Sequence, residues 1–195
     1  MIAEAALAAL VSSCAPSIAP DTMTAVVMVE SSANPLAIGD NTARRSYTPR
    51  DNREAVATAT MLLSRGHNID LGLGQVNSDH LGGTVSVPAL FDPCQNLRVA
   101  SSILAADYSH AFDVFHDQRY ALRAALGAYN TGSIYAGQGY ASRVVAAAAV
   151  PSLSILTAAS PLQSLPVHGS PAATPVPTPE PTAAPGPWRG TWGHP

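Results

Sequence analysis

The chain has 195 residues, 47% hydrophobic and 12% charged, with a formal net charge of −3. That is enough apolar material to build one domain core with length to spare. It offers no basic run, which argues against nucleic-acid binding through phosphate contacts, and no segment long and apolar enough to span a bilayer.

Taken in chain order, residues 3–12 read as a helix. The stretch IAEAALAALVSSCA carries Glu4 and lacks a basic n-region, so it makes a poor signal peptide, and export would need an upstream start or another route. Residues 22–32 read as a second helix, with Asp21 or Thr22 as N-cap. Residues 52–65, NREAVATATMLLSR, form a third, closed by Gly66. Residues 95–109 follow, with Leu97, Ala100, Ser101, Leu104 and Tyr108 at helical spacing. Residues 118–128 and 138–149 complete the set. Between them lie the glycine-rich loops LGLGQVNSDHLGG and GAYNTGSIYAGQG, and no stretch shows convincing strand alternation. The expectation is a mainly α, compact helical domain over residues 1–150, carrying functional loops.

Composition changes near residue 150. Eleven of the 17 prolines fall in residues 151–195, among alanine and threonine with almost no charge. This Pro-rich tail is expected to be disordered or polyproline-like, since it has too little apolar surface to offset its ordering entropy. Trp188 and Trp192 within it read as exposed tail residues or as a short docking motif.

Three stretches carry chemistry. In AVVMVESSANPLAIGDN, an apolar helix runs into Glu30 near its C-terminal end. Apolar surroundings and the negative end of the helix dipole both favour the protonated carboxyl, which suits a general acid; a solvated helix end is the plainer alternative. In DLGLGQVN, Gly72 and Gly74 permit close backbone approach, while Gln75 and Asn77 offer amides suited to sugar hydroxyl and acetamido groups. In AALGAYNTG, Tyr129 and Asn130 end a helix where they could contact a ligand or simply cap it. His67, His80, His110 and His116 lack zinc-like spacing and read as solvated or capping residues, so no metal is expected. Cys14 and Cys94 are either buried thiols or one disulfide closing a long loop.

ES followed by NPLAIG, then GLGQVN, then AYNTG resembles the soluble lytic transglycosylase domain over roughly residues 14–145. CAPSIAPDTMTAVVMVES, NIDLGLGQVN and FDPCQNL look like its branch associated with type IV secretion and conjugation. The resemblance implies a lysozyme-like fold and non-hydrolytic cleavage of the β-1,4 bond between N-acetylmuramic acid and N-acetylglucosamine in peptidoglycan, giving 1,6-anhydromuramoyl ends. It implies Glu30 as the acid and base, and Ser31, Gln75, Tyr129 and Asn130 as substrate-binding residues, with Asn77 and Asn41 as weaker assignments. Tyr129 would also orient or polarise Glu30. It favours a Cys14–Cys94 disulfide, a place in the periplasm or cell envelope, and type IV secretion or conjugation components as partners. Two alternatives remain: a lysozyme-type hydrolase with Asp70 or Asp40 as second carboxylate, and a non-catalytic glycan-binding or structural component.

Overall fold

The computed structural model describes residues 1–83 and 85–149; the Pro-rich tail with its two tryptophans lies outside the described residues. The fold is mainly helical. Helix α1 spans Glu4–Cys14 and α2 spans Pro20–Ser31. The expected cap at Asp21 or Thr22 is corrected: Ala19 is the N-cap, without a side-chain bond, and Pro20 opens the helix. Proline fits that place because its fixed φ is helical and its missing N–H would have had no partner. Asp21 then lies in the first turn, where a negative charge complements the dipole.

Helix α3 spans Asn52–Ser64, and Asp51 accepts a bond from the Glu54 N–H at its start. Gly66 follows with φ +77° and bonds the Leu63 carbonyl, as the glycine stop implied. The short α4 covers Val87–Leu90. Helix α5, Pro93–Phe115, runs beyond both ends expected for it, because Asp92 caps its start and its register continues to a left-handed His116. Asp117 caps α6, Gln118–Thr131, which ends at a left-handed Gly132. Helix α7 spans Gln138–Ala148.

The expectation of no strands needs correction. Strands β1 (Ile38–Asp40), β2 (Arg45–Tyr47), β3 (Ile69–Leu71) and β4 (Val76–Asn77) form one antiparallel sheet in the order β2-β1-β3-β4. Strands of two or three residues are too short for alternation to register in a sequence.

Leu7 and Val11 of α1, Met23, Val26 and Val27 of α2, and Leu97 and Leu104 of α5 meet Ile38, Ile69 and Leu71 of the sheet in one core. Cys14 and Cys94 form a disulfide, Cα atoms 5.2 Å apart, tying the end of α1 to the start of α5. Among the described residues no helix is long and apolar enough to cross a membrane.

Candidate active site

Glu30 lies in the last turn of α2, beside a cleft of about 530 Å³. The cleft is lined by the sheet side, from Asp70 and Gln75 to Asp79, and by the helical side, from Asp107 of α5 and Asn130 to Gly132 at the end of α6. Tyr140 of α7 donates its hydroxyl to Glu30 Oε1 at 2.6 Å. Burial pushes the Glu30 carboxyl up to about 7. The Tyr140 hydrogen bond works against that rise, the nearby Asp70 charge adds to it, and Arg143 opposes it. A carboxyl half protonated near neutrality can give a proton and take one back.

The loop carrying Gln75 is held from behind. Asn96 of α5 is fully buried; its amide donates to the Leu71 and Leu90 carbonyls and its oxygen accepts from Gly74 N–H, each at 2.8 Å. Gly74 is required by this packing: a Cβ there would lie 2.7 Å from Ala100 Cβ and 2.9 Å from the Tyr129 hydroxyl. Gln75 itself has φ +47° and donates its amide to the Gly72 and Ala37 carbonyls at 2.9 and 3.2 Å.

The sheet side of the cleft is a web of amides. Asn41 Nδ2 donates to Asp70 Oδ2 at 2.8 Å, and Asn77 Nδ2 donates to Asp70 Oδ1 at 2.7 Å. Asn68 and Asn77 exchange a reciprocal pair of amide bonds at 2.8 and 2.9 Å. The strand pairing Asp70↔Asn77 sets this up, by placing both residues opposite each other on one face. Burial raises the Asp70 carboxyl, although the two amide bonds pull it down.

The predicted residues fall into two groups. Glu30, Gln75, Asn77, Tyr129, Asn130 and Asn41 all border the cleft. Asn130 is exposed, and its side chain makes no hydrogen bond among the described residues. Ser31 does not border the cleft: its hydroxyl donates to Leu73 O at 2.8 Å, fastening α2 to the glycine-rich loop. Tyr129, expected to orient Glu30, donates instead to Gly74 O at 2.6 Å. Burial, then the charges of Glu30, Asp70 and Asp107, hold its phenol well above the ordinary value, so it stays a neutral donor. The tyrosine bonded to Glu30 is Tyr140, which nothing in its local sequence distinguishes from a core residue.

Asp40 drops out as a second carboxylate. Its side chain is buried and takes bonds from His67 Nδ1 at 2.9 Å and from Ala43 N–H at 3.0 Å. It therefore braces the strand end rather than facing the cleft. Asn68, Asn96 and Asp107 were also missed. Asn96 and Asp107 sit inside an ordinary helical pattern, whose periodicity records burial and not polar contacts.

Residues 9–142 match the family model described as "Transglycosylase SLT domain". The chain is similar to the "Type IV secretion system protein virB1" of Brucella abortus biovar 1 (strain 9-941), 41% identical over 150 residues, which cover 72% of this chain and 63% of that protein. It is similar to the "Protein virB1" of Agrobacterium fabrum (strain C58 / ATCC 33970), 36% identical over 138 residues, covering 69% of this chain and 56% of that protein. The chain thus spans less than two thirds of the length of these relatives. No solved structure matches it. The matched region contains Glu30, the glycine-rich loop, Tyr129 and Tyr140, and on that ground the chain belongs to the transglycosylase SLT domain family.

Proposed function

We propose that the protein is a peptidoglycan lytic transglycosylase. One observation carries the reading: Glu30, raised to about 7 by burial and bonded by Tyr140, borders the cleft, while Asp70, the carboxylate whose charge acts on it, has both oxygens held by amides. Protonated Glu30 gives its proton to the glycosidic oxygen as the bond to muramoyl C1 breaks. Positive charge develops at C1, where the sugar's own acetamido group stabilises it. The C6 hydroxyl then adds to C1 and its proton passes to Glu30, restoring the acid and leaving a 1,6-anhydromuramoyl end. Tyr140 stabilises the ionised carboxylate between the two transfers. Asn130 and Gln75 border the path of the glycan.

The family and the virB1 relatives support a setting in the bacterial envelope, where cutting the murein layer locally would make room for a type IV secretion or conjugation apparatus. A hydrolase remains as second reading because the Asp70 charge acts on Glu30. Mass spectrometry of products from murein sacculi decides between them. Anhydro ends, absent with Glu30→Gln, support the lyase. Reducing ends, one water heavier, would mean a hydrolase, and no products from either protein would favour a binding or structural role.

A further inference from the structure

Asp107 of α5 borders the same cleft from its helical side, one turn beyond Ile103, which lines it too. Among the described residues its carboxyl makes no hydrogen bond and no ion pair, in contrast to Asp70 with its two amide donors. Neither of its oxygens is sealed from solvent, since no buried side-chain oxygen among the described residues lacks a partner. Burial raises this carboxyl to about 6 and His110, one turn along α5, opposes the rise, so the group is ionised at neutral pH. An ionised carboxylate is acceptor-only, with two oxygens to satisfy.

Two hydroxyls of the same cleft lining are engaged elsewhere. Thr131 Oγ1 donates to Gly127 O, and Tyr129 donates to Gly74 O. A partly desolvated carboxylate without donors is unfavourable by itself and becomes favourable when a ligand brings them. Glycan strands carry such donors, as hydroxyls and acetamido N–H groups. We propose that Asp107 is a substrate-contacting residue, its carboxylate accepting hydrogen bonds from a sugar of the glycan strand bound in the cleft. This rests on the glycan-cleaving reading of the site. The contact is made before and during bond cleavage alike, so its effect belongs to binding and not to the proton transfers.

The test measures binding without turnover. Murein glycan strands freed of stem peptides are titrated calorimetrically into the full, disulfide-bonded chain carrying Glu30→Gln, with and without Asp107→Ala or Asp107→Asn. Asp107→Ala is expected to weaken binding about tenfold. Asp107→Asn, which keeps one acceptor and the side-chain size, is expected to weaken it about threefold. In the chain with Glu30 intact, the Asp107→Ala loss should appear as a raised KM at a melting temperature that is not lowered, and that rises at neutral pH as the unpaired carboxylate is removed; a structural role would lower the melting temperature and spare neither KM nor kcat. Equal affinities for all three proteins would overturn the proposal and leave the transglycosylase reading standing. No binding by the Glu30→Gln chain itself, with no cleavage by the parent, would overturn both.

Discussion

Tyr140 Oη lies 2.6 Å from Glu30 Oε1, a bond between side chains 110 positions apart that joins α7 to α2. The bond favours the ionised carboxylate and so restrains a pKa that burial drives upward. Tyr140→Phe removes that restraint. The Glu30 pKa should rise further, moving the alkaline limb of the pH–rate profile to higher pH. The rate should also fall by about tenfold, because the carboxylate formed after proton donation loses its donor. A pH–rate series on the variant reads both effects, and an unmoved limb would argue against the role.

With Tyr140 in place, the acid itself sets the profile of the native chain. Glu30 must be protonated to start the reaction, so activity should decline as pH rises through about 7. Glu30→Gln should lower the rate by about 10²- to 10⁴-fold below pH 7 and abolish the decline above it. Turbidity loss of sacculi across pH 5–9 measures both.

Glu30→Gln should act on stability in the opposite sense to its effect on activity. The Glu30 pKa is about 7 in the fold against an ordinary 4.5. Below 4.5 the carboxyl is protonated in both folded and unfolded chains and costs nothing. As pH rises from 4.5 to 7 the unfolded chain ionises first, and folding loses up to about 3 kcal/mol. Glu30→Gln should therefore leave stability unchanged near pH 4 and raise it toward that limit at pH 8. Urea unfolding at the two pH values checks this.

The Cys14–Cys94 bridge closes a loop with a sequence separation of 80. Loop-closure entropy gives it about 4 kcal/mol of stabilisation. Cys14→Ser with Cys94→Ser, or reduction of the native chain, should lower the urea midpoint accordingly. A midpoint that ignores reductant would mean that packing of α1 on α5 alone carries the junction.

Asn96→Ala should be among the most damaging single changes. It strands the Gly74 N–H and the Leu71 and Leu90 carbonyls in a buried site. The expected loss is about 3 kcal/mol or more. Activity should fall beyond what the loss of folded protein explains, since Asn96 holds the loop that presents Gln75. Calorimetric melting alongside specific activity separates the two effects.

Much of this protein is determined along the chain. Helix periodicity, the glycine stop at Gly66 and the apolar run into Glu30 are local features, and local sterics and burial enforce them wherever the chain goes. Glu30, Gln75 and Tyr129 stood out because each sits beside a loop whose residue types are unusual for a core. The tertiary structure decided the rest. It chose Tyr140, and not Tyr129, as the partner of Glu30, because α7 packs against α2. It made Asp70 a member of an amide web and Asp40 a buried brace for His67, two fates for aspartates with the same intrinsic chemistry. It also turned Asn96 into a support for the loop and Asp107 into part of the cleft lining. Hydrogen-bond partners and desolvation depend on which segments meet in space, and a period along the chain records only which side faces inward.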